Sequence, residues 1–384
     1  MKILIATNFF KGSLSAIEAA EIIEKGILKT DNSIKVVKIP IADGGDGTLE
    51  AICNCTECKE ILSKVNGPLI EKVDAKWLIL EQADEKTAVI EGAQANGLSL
   101  IAPEQYNPLL TTTYGIGELI KQALDNECKK IYVTIGGSST NDGGVGLLQA
   151  LGASFLDKYK NEIAFGGGNI KNLKSIEFSK MDERLKDTKI IVACDVNNPL
   201  CGVNGASAVY GPQKGASEDD VKILDTNLTL LADITAQKFG KDYRNYPGTG
   251  AAGGIGFALK AFLNAELIPG FQLVAELSNM EEKMKAANLV ITTEGKLDSQ
   301  SLSGKAPYQV AQMAKKYNIP TIVIAGAVER NIDVQKAGIT AAFCIADGPV
   351  TLKDSINNAS ELLLNITKQI MKLITCLKIQ KLIL

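Results

Sequence analysis

Short apolar runs and helix-period segments alternate along this chain as repeated strand and helix units. Lys2 to Ala6 reads as an apolar strand, and Ser15 to Ile23 as an amphipathic helix start with Ser15 and Glu18 placed as a capping box. A second strand, Ile34 to Pro40, runs into Ala42-Asp43-Gly44-Gly45-Asp46-Gly47-Thr48, and a helical pattern resumes at Leu49. The β-branched run Lys130 to Ile135, the loop Gly136 to Gly144 and the apolar pattern from Val145 repeat that plan, and Ile190 to Asp195 is another buried-strand pattern. The last third carries strands at Asn288 to Thr292, Thr321 to Ala325 and Ala341 to Ala346, with a helix through Lys315 and a closing helix from Ser355. Strands separated by helices predict a parallel sheet, whose carboxyl edge gathers the ligand-binding loops.

One region breaks the rhythm. After Asn66-Gly67-Pro68, the runs Val73 to Leu80 and Thr87 to Glu91 are separated by polar residues, a hairpin pattern. The chain therefore reads as α/β with two domains. Residues 1–65, 110–150 and 281–384 form a discontinuous parallel domain. Residues 66–109 and 151–280 form an inserted α/β domain with mixed or antiparallel strands, and a cleft is expected between the two.

Composition narrows the function. In 384 residues, 46% hydrophobic and 22% charged is ordinary globular usage, and a net charge of -3 gives no field to recruit nucleic acid or an anionic membrane. Small-molecule substrates are the expected partners, and a homodimer stays open. No apolar run reaches the length of a membrane span, and Ile3 to Ala6 is too short for a signal peptide, so the expectation is a cytoplasmic protein. Eight cysteines at irregular spacings predict reduced thiols, with Cys53, Cys55 and Cys58 either incidental or a thiophilic-metal cluster. The absence of histidine matters more: it removes Ser-His-Asp, Cys-His and His-ligated zinc chemistry, leaving proton transfer to Asp, Glu, Lys, Tyr or Cys.

The loops carry the candidate chemistry. Gly136, Gly137, Ser138, Ser139, Thr140 and Asn141 join small residues and hydroxyls to a helix N-terminus, a geometry that binds anions. Asp142 fits a ligand to the Mg²⁺ that travels with a nucleotide, or else an N-cap. Asp43 precedes two glycines in the same way, so the two carboxylates suit a divalent cation, or are a pair of Asp-Gly turns. Lys11-Gly12-Ser13 places a cation and a hydroxyl before a helix, and Asp195 ends a strand upstream of turn residues and Lys214, as in an active-site wall. Gly248 to Gly253 matches G-x-G-x-x-G with no strand before it, so the dinucleotide reading fails; Gly250 and Gly253 remain competent for phosphate or for close helix packing. Glu294, Asp298 and Lys305 follow the strand at 288–292, and no G-x-x-x-x-G-K-[ST] is present, so this is not a P-loop enzyme.

Taken together, Phe10 to Ser15, Ala42 to Thr48, Gly136 to Gly144, Ala193 to Gly215, Gly250 to Gly254 and Glu294 to Pro307 resemble the type 1 glycerate kinase family, in order and at family-like spacing, over almost the whole chain to about Leu373. The resemblance implies ATP-dependent phosphorylation of D-glycerate, most often at the 2-hydroxyl, and a flavodoxin-like (parallel, three-layer) domain interrupted by a second α/β domain. Two departures stand out: Asn8 where the family usually has Asp, and Thr293-Glu294-Gly295-Lys296 where it usually reads Gly-Glu-Gly-Arg, which loses a bidentate fork. The expected division of labour has five parts. Gly136 to Thr140 and Gly250 to Gly254 cradle anions. Lys11, Lys214 and Lys305 meet phosphate or the glycerate carboxylate. Ser13, Asn141, Glu294 and Asp298 bind substrate or nucleotide, and Asp43 and Asp142 hold Mg²⁺. Asp195 orients or deprotonates the hydroxyl. The alternative is a non-catalytic glycerate-binding regulator derived from the kinase fold. A phosphatase is disfavoured because nothing resembles a covalent or two-metal site.

Overall fold

The computed structural model describes residues 1–42, 44–45, 47–82, 85–299, 301 and 304–381. In chain order its strands are β1 (Lys2–Ala6), β2 (Lys35–Lys38), β3 (Lys59–Asn66), β4 (Lys72–Gln82), β5 (Glu85–Glu91), β6 (Lys130–Thr134), β7 (Ser154–Leu156), β8 (Ser175–Glu177), β9 (Lys189–Ala193), β10 (Glu266–Ile268), β11 (Leu289–Leu297), β12 (Thr321–Val328) and β13 (Ala341–Cys344). The chain divides into two compact units.

The first unit comprises Met1–Ala42, Glu50–Thr56 and Val274–Leu384. Its five strands are parallel in the order β2-β1-β11-β12-β13. Counted within the unit this is 2-1-3-4-5, the flavodoxin-like doubly wound order, as the resemblance implied. Successive strand residues serve opposite faces: Ile322 and Ile324 join the cluster around helix Ala16–Thr30, whereas Val323 and Ala325 join the one around helix Ala306–Lys315. Helices therefore cover both faces, giving three layers.

Helix Ala16–Thr30 starts where the sequence predicts it. Ser15 Oγ accepts from Glu18 N–H at 3.2 Å while the Glu18 carboxylate accepts from Ser15 N–H at 2.8 Å. Its buried stripe Ala19, Ala20, Ile23 and Ile27 shares a core with Leu363, Ile370 and Met371 of the closing helix Ala359–Lys381. Gly26 lets the two helices approach: a Cβ there would lie 2.7 Å from Thr367 Cγ2. Gly26→Leu should overpack this contact and destabilise the protein by about 1–3 kcal/mol, read as a lower melting temperature. An unchanged melting temperature would show that the helices can part at no cost.

The second unit comprises Asp43–Leu49 and Glu57–Leu273. Its main sheet runs β10-β9-β6-β5-β4-β3, with β3-β4 and β4-β5 antiparallel and the remaining pairs parallel; β7 and β8 form a separate two-stranded ribbon. The mixed sheet agrees with expectation, but the boundaries need correcting. β6 sits between β5 and β9, so residues 110–150 lie in this unit and not with the flavodoxin-like strands. Residues 43–49 and 57–65 also move to the second unit and 274–280 to the first. The βαβ rhythm of 110–150 is real; periodicity identifies a parallel strand but not which sheet supplies its neighbours. β3 has no apolar run to mark it because charged residues interrupt it: Ser63 and Val65 are buried on one face, while Glu60 and Lys64 are exposed on the other.

Cys53 and Cys58 are disulfide-bonded, contrary to the expectation of eight reduced thiols, which rested on irregular spacing. Cys55, Cys128, Cys194, Cys201, Cys344 and Cys376 are free. No helix among the described residues is long and apolar enough to cross a membrane.

Candidate active site

In the second unit, the loops following β6 and β9 line a pocket of about 320 Å³ together with Gly44 and Gly45. That is the lower end of the size range for small-ligand sites. Gly136 makes the close approach possible: its N–H donates to Gly44 O at 3.3 Å, and a Cβ at 136 would stand 2.9 Å from Gly45 Cα. Gly136, Gly137 and Ser138 face the pocket, with Asp195, Tyr210, Gln213 and Lys214 around it.

Lys214 is the principal cation of this pocket. It is only 2% exposed, and its Nζ donates to Ser138 Oγ at 2.9 Å and to Thr140 O at 2.7 Å. Burial pulls its ammonium down to about 7, against a smaller upward pull from Asp142. Asp195, just past β9, is exposed, and its Oδ1 accepts from Gly270 N–H at 2.9 Å, which fixes the side chain at the pocket wall. Tyr210 donates its hydroxyl proton to Asn198 Oδ1 at 2.7 Å, and burial raises its phenol.

The rest of the Gly-rich loop is turned inward. Ser139 Oγ donates to Asn96 O at 2.8 Å, Thr140 Oγ1 accepts from Asn96 Nδ2 at 3.2 Å, and Asn141 Nδ2 donates to Ser207 Oγ at 2.9 Å. Asp142 is 1% exposed. Its Oδ2 accepts from Thr113 N–H at 2.9 Å, Thr113 Oγ1 at 2.8 Å and Gly146 N–H at 3.2 Å, and its Oδ1 accepts from Gly144 N–H at 3.0 Å. Burial pushes its carboxyl up, opposed by the Thr113, Gly144 and Gly146 donors. A carboxylate enclosed by backbone donors in this way cannot present itself to a hydrated ion. The geometry corrects the expectation of a metal ligand: Asp142 ties the start of helix Val145–Ala150 to the start of helix Tyr114–Asp125. Its expected partner, Asp43, lies outside the described residues. Among the described residues no group of three His, Cys, Asp or Glu could hold a metal. Asp142, as its oxygens are placed, does not fit a ligand to a resident Mg²⁺.

Gly250 and Gly253 serve close packing. A Cβ at Gly253 (φ +70°) would fall 2.0 Å from Thr140 O, one at Gly250 would fall 2.0 Å from Pro199 O, and Gly143 N–H donates to Gly253 O at 2.9 Å. Of the two readings of that motif, the contacts favour helix and loop packing. Asn96, which holds the buried part of the loop, and the pocket-lining Tyr210 and Gln213 are residues that the sequence did not single out. The last two stand in the same Tyr210-Gly211-Pro212-Gln213-Lys214 run that points to Lys214, whereas Asn96 carries no sequence signal.

A second group lies within the first unit, where the chain leaves β1 beside the C-terminal half of β11; that strand runs on to Leu297, so Glu294 stands within it and not after it. Glu294 is half-buried, its Oε2 accepting from Asn8 Nδ2 at 3.3 Å and its Oε1 from Gly295 N–H at 3.2 Å. Burial raises the Glu294 carboxyl, while Asn8 and Lys305 draw it down. Asp298 accepts from Ser301 N–H and Oγ, each at 3.0 Å, which lowers its carboxyl. Lys305 is exposed at the N-cap of helix Ala306–Lys315. Lys11 is exposed in the turn before helix Ala16–Thr30, its backbone N 3.4 Å from where a Gly295 Cβ would stand, and Ser13 Oγ lies 3.4 Å from Phe10 O.

Comparison with known proteins gives this arrangement its context. The profile of the Glycerate kinase family matches residues 3–375. The chain is 49% identical over 360 residues to a protein named Glycerate 2-kinase from Escherichia coli (strain K12), covering 94% of each. It is 46% identical over 362 residues to one named Glycerate kinase from Bacillus subtilis (strain 168), again covering 94% of each. A crystal structure of a protein assigned as glycerate kinase 2 from Salmonella typhimurium LT2 superposes with a TM-score of 0.88 at 43% identity, covering 98% of this chain and 99% of that one. Sequence, profile and three-dimensional similarity all extend over nearly the full length, and the chain belongs to the glycerate kinase family.

Proposed function

We propose that this protein transfers the γ-phosphoryl group of ATP to D-glycerate at its 2-hydroxyl, giving 2-phosphoglycerate and ADP, in organic acid metabolism in the cytoplasm. The observation that carries this reading is the family match across residues 3–375. The glycerate oxygen forms the new bond to phosphorus, the bond from phosphorus to the β,γ-bridging oxygen breaks, and the hydroxyl proton leaves towards a carboxylate. Mg²⁺ enters with the nucleotide phosphates as part of the substrate, and no step is assigned to a protein-held ion.

Within the second unit, Asp195 orients or deprotonates the attacking hydroxyl, as phosphoryl transfer requires. Lys214 neutralises anionic oxygen at the pocket floor, beside the Gly136-Gly137-Ser138 backbone. In the first unit, Lys11 and Lys305 bind anionic groups of a substrate with Ser13, and Glu294 and Asp298 accept its hydroxyls. The deciding assay measures ADP release with Mg-ATP and D-glycerate and identifies the product by NMR. Glycerate binding by calorimetry without ADP formation would establish the regulator instead.

Lys214 supplies a pH signature. With its ammonium near 7, it is largely neutral at pH 8, and an arriving phosphate favours the charged form. Binding at pH 8 should therefore take up a fraction of a proton, and anion affinity should weaken as pH rises from 7 to 9. Calorimetry in buffers of different ionisation enthalpy reads the uptake directly. Lys214→Met should abolish it, and an unchanged uptake in that variant would remove Lys214 from the anion site.

A further inference from the structure

We propose that Asn8 is a positioning residue for Glu294: a neutral donor that keeps one aimed carboxylate, rather than a carboxyl pair, where the chain leaves β1 beside the C-terminal half of β11. The two strands pair in parallel with Ala6 beside Thr292, so Asn8 and Glu294 each stand two residues further on. The backbone locks the position, since Asn8 O accepts from Thr293 Oγ1 at 2.6 Å.

The orientation of the amide is set by its surroundings. Asn8 Oδ1 accepts from Phe9 N–H at 3.0 Å, a donor that only the oxygen can meet. The amino group is thereby turned to Glu294 Oε2 at 3.3 Å. Glu294 Oε1 is held by Gly295 N–H at 3.2 Å. The carboxylate thus has a donor on each oxygen and a fixed plane. An aspartate at position 8 could keep the Phe9 contact but would bring its second oxygen against Glu294, and two carboxylates at that distance share a proton.

The other charged groups acting on Glu294 are Lys305, which favours its ionised form, and Asp298, which opposes it; Lys296 is drawn to Asp298 at 3.9 Å, and Lys11 approaches Gly295 through its backbone. The Asn8 side chain is hydrogen-bonded to Glu294, and its chemistry decides whether the position holds one negative charge or a shared proton. Asn8 is then a working substitution and not the loss of a catalytic carboxylate.

The test titrates Glu294 in the full chain by NMR of ¹³C-labelled glutamate carboxyls, with Glu294→Gln to assign the signal. Asn8→Asp should move the Glu294 midpoint up by at least one pH unit and give it a two-step curve, and Asn8→Ala should move it up by less. A Glu294 midpoint unchanged in Asn8→Asp would overturn the proposal. A second arm rests on the glycerate kinase reading: the acid limb of kcat/KM should shift with the titration in Asn8→Asp, while a superimposable profile would deny Asn8 its positioning role. Failure of the wild-type protein to form ADP would remove the kinase reading, and the titration would still decide for or against Asn8.

Discussion

Asp142→Ala lowers the stability of the folded protein by roughly 3 to 5 kcal/mol, the expected loss when a buried, hydrogen-bonded charge is removed and its partners are left behind. The donors stranded are Thr113 N–H, Thr113 Oγ1, Gly144 N–H and Gly146 N–H. Each is buried, so water cannot replace the carboxylate, and the upward pull on the Lys214 ammonium disappears with it. Asp142→Asn keeps the shape but sets an amino group against backbone N–H donors, so it too should melt early, though by less. The measurement is thermal or denaturant unfolding of both variants, with turnover recorded alongside. A metal ligand would give the opposite pattern: lost turnover at an unchanged melting temperature, with activity partly recovered at high Mg²⁺. That pattern would return Asp142 to the metal.

Asp195→Asn has the next largest effect, and on rate rather than stability. Asp195 is exposed, and its contact with Gly270 N–H can be kept by an amide oxygen. The fold should therefore be unaffected, while loss of the base or orienting carboxylate lowers kcat by about 10²–10⁴-fold, or roughly 3–5 kcal/mol in the barrier. KM for D-glycerate should move little, because an amide still hydrogen-bonds a hydroxyl. Near-normal turnover in Asp195→Asn would remove the residue from the chemistry. Paired with Asp142→Asn, the comparison separates a carboxylate that builds the pocket from one that works in it.

Much of the fold is legible in the sequence because local rules suffice for it. The capping box at Ser15 and Glu18, the parallel strands β1, β11 and β12 and the hairpin of β4 and β5 all follow from periodicity and turn chemistry. The chemistry-bearing loops are legible too, since glycines beside hydroxyls and charges at strand ends stand out from their surroundings. The family itself can be recognised from those loops. Which way each side chain points within a loop cannot.

Local pattern and motif suffice for two α/β units interleaved along the chain, a histidine-free chemistry resting on carboxylates and lysines, and membership of a kinase family. That β6 joins the mixed sheet is visible in three dimensions alone, because a strand's neighbours are chosen by long-range pairing that no local pattern encodes. The same holds for Ser139, Thr140, Asn141 and Asp142, which turn inward while Ser138 stays at the pocket, and for the burial of Lys214. The physical reason is shared by all of these cases. A loop's glycines permit many paths, and the path taken is one that pairs the loop's inward-facing groups with partners far apart in the chain: Asn96, Thr113, Ser207 and Lys214.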